Sequence, residues 1–220
     1  MEKSVYKPPK FQAIFDVKDI YDILRRCDHY PYAQLYKTLY IFAFLGFFRI
    51  SNLVPVSKKQ FNLKKNLCRG DILPNEHNVV IVIKWSKTLQ APQQGSYIVL
   101  PKLQDHRICP AVNFQRMCSL YPVSVNSPCF NTLFFTVTER LVRQHLKNIL
   151  QDLKLYPGQM SFHTFRRSGA TLAYNLGINM EDIKRHGTWR SEAVQSYIVA
   201  DPQKATGVSQ GMRAFFNNHM

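Results

Sequence analysis

The segment Ser161-Phe-His163-Thr-Phe-Arg166-Arg167-Ser-Gly169 sets an imidazole and a guanidinium three residues apart, a spacing that puts both on one face of a helix. Downstream come Gly187-Thr-Trp189 and, eight residues after the tryptophan, Tyr197. Upstream stands Phe47-Phe-Arg49-Ile-Ser-Asn52-Leu53, and between the two blocks lies Lys84-Trp-Ser-Lys87-Thr88. These residue types suit the transfer of a phosphodiester to a side chain. An arginine fork gives two parallel charged hydrogen bonds and keeps its proton, so Arg49 and Arg166 can hold the charge that builds on a pentavalent phosphate. A phenol with a pKa near ~10 is a poor nucleophile at neutral pH, so Tyr197 needs His163 and the positive field of the arginines in order to attack. A lysine on a hairpin can protonate the departing 5′ oxygen, the role assigned to Lys87.

Each residue also has a plainer reading. Two fixed residues such as His-x-x-Arg recur by chance, and it is the order of the four blocks that carries weight. Arg49 at a helix end could simply compensate the helix dipole. Lys84 competes with Lys87, and the Ser-Lys-Thr turn pattern favours Lys87. Arg167 reads as a phosphate contact or a surface charge, His186 as a surface residue, and Trp189 fits a core position as well as a site.

Composition narrows the partner. A chain of 220 residues, 45% of them hydrophobic, can bury one good core. Its formal charge of +15 and pI near 9.7 draw in an anion, most often nucleic acid. Lys84, Arg167 and Arg190 are the expected DNA contacts outside the catalytic set. Five cysteines, odd in number and without a C-x-x-C pair, argue against a disulfide framework or a zinc site and for reduced thiols in an intracellular protein. The N-terminus has no apolar signal region. The most apolar run, Leu39–Phe48, is about half the length that spans a bilayer, so no membrane partner is expected.

Elements that could position these residues follow from periodicity. Residues 1–13 read as a linker because of the paired prolines Pro8 and Pro9. Helices are predicted from Asp16, with Ile20, Ile23 and Leu24 inward, and from Ala33 to Arg49, with Leu35, Leu39, Phe42 and Ala43 inward and Arg49 in the last turn. A β-rich stretch follows: a short strand near Leu67, then Val79–Ile83 and Ser96–Leu100, joined by a connection that carries Lys87. Helices resume over 111–120 and over 139–153, where Leu146, Ile149, Leu150 and Leu153 share a face. The next opens at His163 and stops at Gly177, a short one capped by Asn179 runs through His186, and one capped by Ser191 carries Tyr197. A last amphipathic helix runs towards Phe215.

Taken in order, these residues resemble the active site of the tyrosine recombinases, the phage-integrase-like family, over about Ile14 to Phe216. The resemblance implies a mainly α fold with a small antiparallel β-sheet, the catalytic-domain fold of DNA breaking-rejoining enzymes, over 14–220, with the family's N-terminal core-binding domain absent. It implies a site-specific recombinase or integrase that cleaves and rejoins strands of double-stranded DNA through a covalent 3′-phosphotyrosine on Tyr197. Neither metal nor ATP nor another cofactor is expected, and self-association into a synaptic dimer or tetramer on DNA is. Trp189 matches the family variant in which a tryptophan packs on the nucleophile and donates to the phosphate. Gly-x-Trp-x-Ser followed by Tyr-Ile is similar to recombinases of eukaryotic mobile elements of the Crypton and DIRS type, which would place the protein in a nucleus. One departure stands in the first motif: where many members have an acidic residue supporting the hairpin lysine, this chain has Asn52. Two other outcomes share the motifs, a catalytically idle DNA-binding domain derived from a mobile element and a type IB topoisomerase. The topoisomerase Ser-Lys-x-x-Tyr pattern is not matched by Ala193-Val-Gln-Ser-Tyr197.

Overall fold

The computed structural model describes residues 13–84, 96–156 and 158–199. The linker up to residue 12, the Trp85–Gly95 connection with Lys87, and the helix expected towards Phe215 lie outside the described residues.

Apolar spacing builds the helical framework. Helix α1 (Val17–Arg26) opens on Asp16, whose Oδ1 accepts from the Asp19 N–H at 2.7 Å while Asp19 Oδ2 accepts from the Asp16 N–H at 3.1 Å. This reciprocal pair satisfies two donors that a helix start leaves open. Ile20, Ile23 and Leu24 face inward, as predicted. Helix α2 (Ala33–Leu45) is apolar around nearly its whole circumference, and such a helix must run through a core. Leu35, Leu39, Phe42 and Ala43 are completely buried there. Each large side chain so buried contributes about 1.5–3 kcal/mol, which makes α2 the main support of the fold.

A one-turn helix, α3 (Ile50–Leu53), follows α2. The sheet comes next: β1 (Ile72–Pro74), β2 (Asn78–Ile83) and β3 (Ser96–Pro101), antiparallel in the order β1-β2-β3, with Ile72 and Ile98 both paired to Ile81. Alternation sends Val79, Ile81, Ile83, Ile98 and Leu100 into the core and leaves Leu73, Tyr97 and Val99 exposed.

Helix α4 (Pro110–Leu120) packs on α2 with proline at its first position, where the missing N–H costs nothing. Helix α5 (Glu139–Asp152) buries Val142, Leu146, Ile149 and Leu150, while Leu153 sits half-buried just past its end. Helix α6 (Phe162–Asn175) also packs on α2, and Gly177, at φ 84°, closes it in the conformation glycine adopts without strain. Helix α7 (Met180–His186) starts at Asn179, whose Oδ1 accepts from the Asp182 N–H at 2.8 Å. The mainly α class with one small antiparallel sheet is therefore the one the sequence predicts.

Three local expectations are corrected. Helix α2 stops at Leu45, not at Arg49, because Phe47 takes a left-handed backbone at φ 50° and turns the chain. The first strand is Ile72–Pro74 rather than one at Leu67: Arg69–Asp71 form a tight 3-10 turn, closed by the Cys68 N–H on Asp71 Oδ2 at 2.7 Å, and Cys68 makes only an isolated bridge to Pro128. The segment that carries Tyr197, Glu192–Tyr197, is 3-10 rather than α-helical. The five cysteines are free thiols, four of them buried.

Candidate active site

Helix α6 supplies the centre of the site. Its start is fixed by the Ser161 N–H on Thr164 Oγ1 at 2.9 Å, so His163 stands in the first turn and Arg166 one turn later on the same face. Gly169 lets this helix approach the end of α2: a Cβ there would meet the Phe44 carbonyl oxygen at 2.2 Å. The closeness lets Arg166, only 1% exposed, reach two backbone carbonyls, that of Phe47 through Nη1 and that of Gly187 through Nη2 at 2.8 Å. Phe47 and Thr188 both have left-handed backbones, at φ 50° and 56°. Strained turns of this kind persist where the surroundings over-determine them, and here Arg166 ties both together.

Arg49 enters from the other side. The Phe47 turn ends α2, and the Arg49 N–H is held by Asn52 Oδ1 at 3.0 Å, which starts α3. Asn52, the residue that replaces an acid, thus caps the arginine's own backbone. The Arg49 side chain lines a cavity of about 240 Å³ together with Ser51, Glu139, Arg143 and His163.

Tyr197 closes the arrangement. Its ring centroid lies 4.9 Å from that of His163 and 5.1 Å from that of Trp189, which meets it edge-on, and 5.4 Å from the Arg166 guanidinium carbon. The same guanidinium stacks on Trp189 at 3.7 Å from the ring centroid. Under the tyrosine lies a small apolar cluster of Phe47, Ala170, Ile183, Trp189 and Val194, separate from the main core. Gly187 is required beneath Trp189, since a Cβ there would fall 1.6 Å from the indole.

The site is electropositive and rich in unused donors. Arg49 Nη1, Arg166 Nε, Arg167 Nε and Trp189 Nε1 are buried with no hydrogen-bond partner among the described residues. Buried donors are nearly always paired in folded proteins, so four such groups in one place suit an acceptor-rich anion. Burial pulls the Arg166 pKa down to about 9, and the Arg49 charge adds to this, yet Arg166 stays cationic at neutral pH. His163 is pulled down to about 4, first by burial and then by the charges of Arg166, Arg167 and Arg49. It is therefore neutral at pH 7 and able to accept a proton.

The other predicted residues fall as follows. Lys87 lies outside the described residues. Lys84 binds Asp71 Oδ2 at 2.7 Å, the Leu63 carbonyl at 2.9 Å and Cys68 Sγ at 3.2 Å. Burial opposes its charge, but the bonds to Asp71 and Cys68 win and raise its pKa. Arg167 is half-buried and donates to the Ala13 carbonyl at 3.0 Å, and Arg190 is exposed. His186, expected on the surface, is instead half-buried: its Nε2 bonds the Leu45 carbonyl at 2.8 Å and its ring meets Phe47 edge-on at 4.7 Å. It braces the turn that carries Arg49, a role that only the tertiary packing of α7 on that turn reveals. Among the described residues no group of three or more His, Cys, Asp or Glu side chains could hold a metal ion.

Comparison with solved structures gives the class of fold. The chain is similar to the XerH site-specific recombinase bound to a palindromic difH substrate, at 17% identity and a TM-score of 0.60 over 92% of this chain and 53% of that one. It is similar to the Tn1549 transposon integrase in complex with transposon right end DNA, at 11% identity and a TM-score of 0.60 over 96% of this chain and 69% of the other. The XerA recombinase matches at 13% identity and a TM-score of 0.56, over 97% of this chain and 66% of that one. The fold is thus that of the recombinase and integrase catalytic domains, and the chain spans about half the length of XerH. Sequence comparison matches no family model and no curated protein. No helix among the described residues is long and apolar enough to cross a membrane.

Proposed function

We propose that this chain is the catalytic domain of a site-specific DNA recombinase or integrase that forms a 3′-phosphotyrosine at Tyr197. The observation that carries the reading is the convergence of Tyr197, neutral His163 and two arginines around unpaired buried donors. In the proposed step the Tyr197 oxygen attacks phosphorus, His163 takes the phenolic proton, Arg49 and Arg166 with Trp189 Nε1 hold the non-bridging oxygens, and Lys87 protonates the 5′ oxygen as its bond to phosphorus breaks. Attack by the freed 5′ hydroxyl of a second strand reverses these transfers and rejoins DNA without ATP. Arg190 contacts the DNA backbone, and Lys84 and Arg167 join it by exchanging their present partners. The partner is double-stranded DNA, on which copies of the chain associate for synapsis. On the pattern of Gly187, Trp189 and Ser191 followed by Tyr197-Ile198 alone we assign the source to a eukaryotic mobile element of the Crypton or DIRS type, and so the location to a nucleus.

One observation favours a second reading, an idle DNA-binding domain: both Nη groups of Arg166 are engaged with carbonyls and the side chain is 1% exposed. A single assay separates the two. Incubated in EDTA with a nicked duplex that traps the cleaved strand, the protein forms a covalent adduct that survives denaturing electrophoresis, and Tyr197→Phe forms none. An adduct that persists in Tyr197→Phe overturns the mechanism, and DNA binding without any adduct establishes the idle domain.

A further inference from the structure

Helix α6 carries another polar side chain aimed at the tyrosine segment. Thr171 is 2% exposed, and its hydroxyl donates to the Tyr197 carbonyl at 3.2 Å while accepting from the Val199 N–H at 3.2 Å. Hydroxyls buried in helices commonly donate to the carbonyl one turn back, as Ser168 does to Thr164 and Thr38 does to Gln34, each at 2.8 Å. Thr171 reaches across to another element instead. At the opposite end of Glu192–Tyr197 the tie is an ion pair between Lys184 and the exposed Glu192 at 2.6 Å, a type of contact that holds weakly in water. Fully buried Val194 anchors the middle of the segment, and the buried hydrogen-bonded tether is at the Tyr197 end. A β-branched side chain on a helix has few rotamers, so the hydroxyl is fixed relative to the His163 and Arg166 side chains on the same rigid element.

We infer that Thr171 is a positioning residue for Tyr197: by bracketing the backbone from 197 to 199 it sets the height of the phenol above the phosphate held by the other α6 side chains. The inference rests on the proposed function for its chemical consequence, though not for the tether itself. Misplacement of a reacting group by about 1 Å can cost on the order of 10² in rate.

The test compares the parent chain with Thr171→Val, which keeps shape and loses the hydroxyl, and Thr171→Ser, which keeps the hydroxyl. Amide hydrogen exchange is read over 192–199, and single-turnover cleavage of the nicked duplex is read at saturating protein. In the parent the Val199 amide should be protected. In Thr171→Val it should exchange about tenfold faster, as expected when a local tether is released, and cleavage should slow by about 10² with DNA affinity unchanged. Thr171→Ser should restore both. An unprotected Val199 amide in the parent overturns the inference without any variant. So do unchanged exchange in Thr171→Val, or cleavage and affinity falling in parallel. If the parent forms no adduct, it is the proposed function that falls, and the exchange data still decide the tether.

Discussion

The two arginines of the site occupy opposite surroundings. Arg49 follows a turn, half-buried, with its side chain on the wall of an open cavity and Nη1 without a partner among the described residues. Arg166 stands within a helix, 1% exposed, with two nitrogens on the carbonyls of Phe47 and Gly187 and its face on Trp189. In the sequence both read as phosphate clamps. The structure separates them: Arg49 keeps a buried donor free beside an open cavity, whereas Arg166 holds together the two left-handed turns that flank it.

The largest expected effect follows from this contrast. Arg166→Ala leaves two buried carbonyls unpaired, at about 1–3 kcal/mol each, and Trp189 without its stacking partner, so that even after relief of a poorly solvated charge beside Arg49 it should cost about 2–4 kcal/mol of unfolding free energy. Arg49→Ala should cost no more than about 1 kcal/mol while slowing strand cleavage by about 10². Denaturant unfolding and single-turnover cleavage read the two sides. Equal stability losses would dissolve the distinction.

Gly187→Ala comes next, because it strikes the Arg166 side of the comparison alone. The added methyl collides with the indole of Trp189, and such overpacking typically costs about 1–3 kcal/mol. A changed near-ultraviolet dichroism from displaced Trp189 should accompany it, and an unperturbed signal would show that the turn repacks freely.

Acid offers a graded test of the same buried charge. His163 and His145 are both held down to about 4, from 6.5, with burial as the main cause. Their neutral forms favour the fold, so that stability is complete above the unfolded pKa near 6.5 and is lost as pH falls from there towards 4. The melting temperature should drop on the order of 5 °C between pH 7 and 4.5. In Arg166→Lys, where charge beside His163 is retained, the drop should persist. A flat profile would mean that the two imidazoles titrate as if exposed.

The smallest effect is expected at Lys184, whose partners Glu181 and Glu192 are solvent-exposed. Lys184→Gln should change stability by less than about 1 kcal/mol and leave cleavage near the parent rate. A large loss of cleavage there would move the firm tether of the tyrosine segment from Thr171 to the ion pair.

Much of this could be read from residue order alone, and what could not has a common cause. Periodicity placed α1, α2, α5 and two of the strands because burial on one face leaves a repeating apolar signal. Caps at Asn179 and the glycine stop at Gly177 were legible because they are local chemistry. The end of α2 was not: nothing in Leu45-Gly46-Phe47 announces a left-handed phenylalanine, which exists because Arg166, 119 residues later, holds its carbonyl. His186 looked like a surface residue because its partner, the Leu45 carbonyl, is a backbone atom 141 residues away. Thr171 carries no signal in the sequence for the same reason, since its partners, the Tyr197 carbonyl and the Val199 N–H, are backbone groups of a distant segment. The motif residues group in the sequence because their types fit one reaction, and the structure brings His163, Arg166, Trp189 and Tyr197 together, while the different surroundings of Arg49 and Arg166 depend on which carbonyls lie nearby.

The central claim, that Tyr197 is the nucleophile of this assembly, is tested most directly by locating the covalent bond. After reaction with the nicked duplex in EDTA, nuclease trimming and trypsin digestion, mass spectrometry should find the nucleotide on the peptide that begins at Ser191, with fragmentation placing it on Tyr197. Modification of any other of the 11 tyrosines, or of a serine, would contradict the account.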